Sequence, residues 1–356
     1  MIYCWYKDRW EKGIDILCKS IIATIPTILI YGLIEMVYLS GNNCAEVILK
    51  TITPYIISIQ VDKTPWPPLL WPGQMRLIFA EPSFIGNYLA ILLPIVLYYY
   101  FKDNKNNKLI LFYSFFLFVF VFLSKARTAN AMSFGIMALF LGLMFFVYKM
   151  CYMKKVLLYL CVIVLAFGTS LAFINSTIKN STNVSYSSYI EENVTSLATT
   201  NKRSNSARFA RLKSNLRAGM ESPVLGGGRG LITAYAVDNF TVDEMQIGEV
   251  RSWVDTVNKN GIMLYRIGAM NEYVERFAET GILGLGIFLF PFLYSLKKLF
   301  FLYFKNRALN IFLLLIILIS SLVSGCNLQL NVIYASWIIL GLSFAAINYK
   351  ESKVKE

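Results

Sequence analysis

The sequence predicts an all-α polytopic membrane protein, with about eight transmembrane helices and a large extracytoplasmic loop containing short helices. Three observations predict it. Of the 356 residues, 56% are hydrophobic and 15% charged, and mean hydropathy is +0.54. Soluble chains carry roughly 25% charge. The apolar residues fall in blocks, and a helix needs about 20 of them to cross a bilayer. Half of the 34 basic residues stand at the ends of those blocks, where membrane proteins concentrate Lys and Arg.

In chain order the spans are expected at 17–39, 78–100, 109–123, 129–148, 156–174, 281–296, 309–323 and 332–347. Residues 1–19 are polar, charged and aromatic, unlike a cleavable leader. With a cytoplasmic N-terminus, every inner segment carries three or more basic residues, from Lys7, Arg9, Lys12 and Lys19 to Lys350, Lys353 and Lys355. The short outer connections, 124–128 and 326–331, hold only Lys125 and Arg127. Both termini are then cytoplasmic. The organisation expected is a bundle over 1–174 with an outer connection at 40–77, a large loop over 175–280, and a bundle with its tail over 281–356. Trp66 and Trp71 suit the membrane interface, and 175–201 is rich in Ser, Thr and Asn. There is no internal repeat.

Composition also excludes functions. The net charge of +13 sits at span ends, which argues against nucleic acid. The six cysteines form no Cys-x-x-Cys pair, and His is absent, which removes the commonest general base and zinc ligand. No metal and no cofactor is expected.

Candidate chemistry gathers in the large loop. Lys202, Arg203, Arg208, Arg211, Lys213 and Arg217 follow one another with no acid between them. Phe209, Leu212 and Leu216 recur at helical spacing, so an apolar stripe flanked by cations is expected, ending near Gly219 and Pro223. The glycine-rich run after Glu221 contains Gly226, Gly228 and Arg229. Its amides suit an anion nest or a turn, and it lacks the Lys-Ser/Thr of a P-loop. Glu272, Glu275 and Glu279 share a helical face before a span, where they can position or deprotonate a hydroxyl or form a solvated face paired with Arg276. Arg127 is pinned in a short turn between spans. Arg76 and Glu81 flank the entry to the second span and are expected to pair or to serve a site.

Four segments, in order, resemble the O-antigen ligase and polymerase superfamily of bacterial membrane glycosyltransferases. They are Glu81-Pro82-Ser83 opening a span; the 124–129 turn, similar to a Ser-Arg-Thr/Gly turn; Arg217 with Gly228 after ten residues, within a Pro-x-x-Gly-x-Gly run; and Asn271, nine residues, then Gly281-x-x-Gly284. The ligase pattern begins with His, where this chain has Met270. The resemblance therefore implies a polymerase more than a ligase, with a GT-C-like helical fold.

It further implies an undecaprenyl-diphosphate donor carrying glycan to a lipid-linked acceptor, by inversion and without metal, at the outer face of the cytoplasmic membrane. A chain-length regulator is a candidate partner. Arg211, Arg217 and Arg127 are then expected to grip the diphosphate, with Glu81 or Glu272 as base. Arg76, Arg208, Gly226, Gly228, Arg229, Asn271, Glu279, Gly281 and Gly284 would bind diphosphate or glycan. A ligase-type transferase to another acceptor and a transporter of lipid-linked glycan are the rival readings.

Overall fold

The computed structural model describes residues 1–57, 67–102, 107–148, 152–177, 203–262, 267–327 and 334–355. Trp66, Lys202 and most of 175–201 and 326–331 lie outside the described residues. Among those described there are helices, turns and loops and no strand.

The first helices are α1 (Ile2–Tyr6), α2 (Trp10–Ile22), α3 (Ile25–Leu39) and α4 (Asn43–Ile56). Then come α5 (Phe84–Lys102), α6 (Asn107–Leu123), α7 (Arg127–Tyr148) and α8 (Met153–Thr177). The loop contributes α9 (Arg203–Glu221), α10 (Ile232–Asp238), α11 (Val242–Met245) and α12 (Gly248–Asn260). The chain closes with α13 (Glu272–Asn306), α14 (Leu309–Gly325) and α15 (Tyr334–Lys355).

Among the described residues, five stretches are long and apolar enough to cross a membrane: Trp10–Leu39, Phe84–Lys102, Arg127–Phe146, Met153–Thr177 and Glu272–Asn306. The expected spans at 109–123 and 309–323 form the shorter apolar helices α6 and α14. Helix α14 is central, with Ile311–Leu318 buried throughout. Its Phe312 meets Phe140 of α7 and Tyr303 of α13, ring centroids 4.9 and 5.0 Å apart. The Asn348 amide of α15 donates to the Tyr3 hydroxyl at 2.9 Å, so the two ends of the chain lie together.

The connection expected at 40–77 is not a simple outer loop. Asn42 caps α4 by accepting from the Ala45 amide at 3.2 Å. The helix then runs back along α3, where the Tyr31 and Thr53 hydroxyls meet at 2.9 Å. The segment 67–83 also turns back into the bundle, burying Met75, Arg76 and Leu77. Irregular backbone in an apolar bundle needs partners for its polar groups. Glu35 of α3 supplies two, accepting from the Arg76 and Leu77 amides at 3.0 and 2.8 Å. The Arg76 guanidinium supplies two more, donating to the Pro68 carbonyl at 2.6 Å and to the Leu69 carbonyl. The Met75 amide donates to Leu123 at 3.2 Å. The expected Arg76–Glu81 pair is therefore replaced by a brace in which both charged side chains, Glu35 and Arg76, serve backbone.

The loop helices pack by small residues. Helix α9 buries Ala207, Ala210, Ser214 and Ala218, spaced i, i+3, i+7 and i+11, and exposes Phe209 and Leu216. The expected Phe209–Leu212–Leu216 packing stripe is thus corrected to an alanine face. Gly219 does not stop the helix. A Cβ there would lie 2.8 Å from the Phe277 ring and 3.0 Å from the Ala278 Cα, so the glycine admits α13 at close range.

Candidate functional site

A cleft of about 270 Å³ opens at the end of the bundle where α5 and α7 begin. Three elements line it: the α6–α7 turn with Lys125, Arg127 and Thr128, the segment from Trp71 to Ser83, and Arg208 from α9.

Local sequence explains the placement. The Ser124 hydroxyl donates to the Val121 carbonyl at 2.6 Å and accepts from the Ala126 amide at 3.2 Å, which closes the turn. Lys125 takes a left-handed backbone, φ 49°. Such conformations cost about 1–3 kcal/mol in a non-glycine residue and cluster at functional sites. Gly86 sets the approach of the wall: a Cβ there would lie 2.8 Å from the Ala129 Cα. Its absence lets α5 close on α7 and brings Glu81 and Ser83 beside Arg127. The Trp71 indole donates to the Ala80 carbonyl at 3.1 Å and ties the wall together.

The cleft is cationic. Lys125, Arg127 and Arg208 face one carboxylate, Glu81, which accepts from the Ser83 hydroxyl at 3.1 Å. Arg127 and Arg208 are close enough for their charges to repel. The N-terminus of α7 adds its dipole to the same side. An anion relieves that repulsion, and guanidinium groups bind phosphate bidentately.

The other expected cations go elsewhere. Arg211 donates its Nε to the Gly268 carbonyl and lies over the Trp253 ring at 5.2 Å, where the Glu275 carboxylate also packs against Gly268. Arg217 pairs with Glu244 and donates to the Asn239 carbonyl at 2.9 Å. The physical reason is the helix itself. Each residue turns by about 100°, so Arg208 and Arg217, nine apart, stand on opposite sides of α9. The expected trio of Arg211, Arg217 and Arg127 is thus not assembled, and Arg208 takes the place beside Arg127.

The acids are not a solvated face. Glu272, Glu275 and Glu279 are buried, with 1%, 3% and 3% of their surface exposed. Two of them pair with Arg276, Glu272 at 2.7 Å and Glu279 at 3.7 Å. Arg276 lies 5.4 Å from the Phe288 ring centroid. Asn271 caps α13 by accepting from the Tyr273 and Val274 amides, each at 3.1 Å, and donates to the Cys326 carbonyl at 3.2 Å. Neither Glu272 nor Asn271 lines the cleft.

The glycines form a clasp. At Gly281 the backbone leaves helical geometry, φ 64° and ψ −170°, and frees groups on both sides of the kink. The Gly227 and Gly228 amides donate to the Ala278 and Glu279 carbonyls at 2.8 and 3.0 Å. The Ile282 amide donates to the Pro223 carbonyl at 2.8 Å. A Cβ at Gly281 would lie 2.1 Å from the Val224 oxygen, and one at Gly226 2.4 Å from the Glu279 carbonyl carbon. Gly284 leaves room for the Thr280 side chain in the next turn. The Gly226 amide is bonded to the Ser222 carbonyl at 2.8 Å, so these amides join backbones rather than form the expected anion nest. Arg229 is exposed beyond the clasp.

Sequence reasoning missed Ser83, Gln74 and Trp71 as cleft residues, and Glu35 as a brace. A carboxylate inside the first span was the available signal for Glu35.

A family profile described as O-antigen ligase matches residues 112–289. The match takes in Arg127, Arg208 and the clasp, and stops within α13. No curated protein and no solved structure matches the chain.

Proposed function

Because this chain belongs to the O-antigen ligase family, we propose that it is a polysaccharide polymerase of the bacterial cytoplasmic membrane, moving glycan from undecaprenyl diphosphate to a lipid-linked acceptor. The observation that carries the proposal is the cleft in which Arg127, Lys125 and Arg208 meet at one end of an apolar bundle.

A departing lipid diphosphate gains negative charge and needs no acid to protonate it. Fixed cations where that charge develops lower the barrier, and each such contact is worth about 3–4 kcal/mol in comparable sites. Arg127 and Arg208 take this role, with Lys125 beside them. An acceptor hydroxyl attacks the anomeric carbon from the opposite face as the bond from that carbon to the diphosphate oxygen breaks. Glu81, which lines the cleft, takes the hydroxyl proton in this reading. The configuration inverts, and the carrier leaves as its diphosphate. With guanidinium and ammonium groups supplying the charge, the step is drawn without metal.

A carrier lipid presents its head only near the membrane surface, which suits a cleft at the bundle end. The basic flanks of the spans support placing this end outside. Met270 at the ligase His position supports a polymerase over a ligase.

The test is reconstitution with undecaprenyl-diphosphate-linked repeats alone. Longer lipid-linked chains are expected without nucleotide sugar. Transfer only to a different acceptor would make the chain a ligase, and lipid movement across the bilayer without transfer would make it a transporter.

A further inference from the structure

The clasp fixes a second relationship, at the lipid-facing side of α13. Ile282 and Leu283 donate their amides to the Pro223 and Val224 carbonyls at 2.8 and 3.4 Å. Val224 and Leu225 are therefore held level with the first apolar turn of the span. Both are exposed, at 54% and 71%. Ile282 and Leu283 beside them are exposed too, and the exposed apolar surface continues down α13 through Ile287 and Phe290. Leu283, Ile287 and Phe290 share one helical face at i, i+4, i+7. Helix α13 is long and apolar enough to cross a membrane, and this exposed stripe suits lipid contact.

We propose that Val224 and Leu225 insert into the bilayer as the upward continuation of that stripe, so that the clasp anchors the loop in membrane lipid. One observation favours lipid over water or a protein, and a second is compatible with it. The apolar surface is continuous with the span. The backbone flanking the two side chains is also tied down: the Gly226, Gly227 and Gly228 amides and the Pro223 and Val224 carbonyls are hydrogen-bonded within the chain. Such pairing is compatible with an apolar medium, where no water is at hand for backbone groups. Arg229 follows at once, exposed, with a cation suited to lipid headgroup phosphates. The anchor stands whether or not the protein transfers glycan.

The test uses the unmodified full chain in vesicles of phosphatidylethanolamine and phosphatidylglycerol, doped with a phospholipid carrying a diazirine near the top of one acyl chain. After irradiation and digestion, adducts are mapped by mass spectrometry. Label at Val224 and Leu225 is expected to be about equal to that at Leu283 and about tenfold above that at Val242. Val242 is the reference because it lies in α11, away from the clasp, and is 80% exposed. Label at 283–290 with only the Val242 background at 224 and 225 would overturn the proposal. So would label at Val224 and Leu225 that disappears as the protein-to-lipid ratio is raised while label at Leu283 persists, which would make the patch a contact between copies.

Discussion

Arg208 of α9 and Arg127 at the start of α7 line one cleft and repel each other across it. Two guanidinium groups brought to one cleft, one by a loop helix and one by the bundle, are an arrangement that an anion stabilises. Added negative charge between them relieves the repulsion.

The first prediction concerns which arginines matter. Arg127→Ala and Arg208→Ala should each lower turnover of chain growth about 100-fold or more. Arg217→Ala should act differently, because Arg217 pairs with Glu244 in the loop. It should cost about 1 kcal/mol of stability, and the exchange Arg217→Glu with Glu244→Arg should restore much of it. Turnover and thermal unfolding of the same preparations separate the two effects.

Glycines in the clasp should be intolerant by position. Gly281 has φ 64° and no room beyond its Cα, so Gly281→Ala should destabilise by about 2 kcal/mol or more. Gly286→Ala in the same helix meets nothing within 4 Å and should leave stability unchanged or slightly raised. Thermal unfolding in detergent reads both.

The Glu35–Arg76 brace should fail asymmetrically. Glu35→Ala leaves the Arg76 and Leu77 amides unsatisfied, at about 1–3 kcal/mol each. Glu35→Gln keeps one good acceptor and should lose less. Arg76→Lys cannot span two carbonyls with a planar fork and should resemble the Ala variant at Glu35 in unfolding temperature.

Native cysteines report the orientation. Cys4 and Cys44 are both exposed, one at the N-terminus and one at the start of α4. A membrane-impermeant maleimide applied to intact cells should label Cys44 and spare Cys4 until the cells are opened. Burial pushes the Cys326 thiol above its ordinary value. Fewer thiolates are then present at neutral pH, so labelling at Cys326 should lag behind Cys44 and catch up as the pH is raised.

Much of the membrane layout was legible because hydrocarbon imposes a length on apolar blocks. The expected start at 281 coincides with the kink at Gly281, where the polar helical segment from Glu272 gives way to the apolar one. Arg127 was legible as a charge trapped between two spans. Arg208 was less so: it lay in a run of six cations, and the rotation of the helix, rather than composition, decides which one reaches the cleft. The acidic face of α13 was correctly grouped by its period, but period says nothing about burial, and the three acids turned inward. The segment 67–83 has no period at all, so nothing local foretold that Glu35 and Arg76 would satisfy its backbone.

The most direct measurement is binding of undecaprenyl diphosphate itself, without sugar, to the purified protein and to its arginine variants. Each of Arg127→Ala and Arg208→Ala is expected to weaken binding by about tenfold or more, since each removes charge-assisted hydrogen bonds of about 1.5–3 kcal/mol. Arg217→Ala should bind as the unmodified chain does. Undiminished binding in both cleft variants, or a loss confined to Arg217→Ala, would contradict the account.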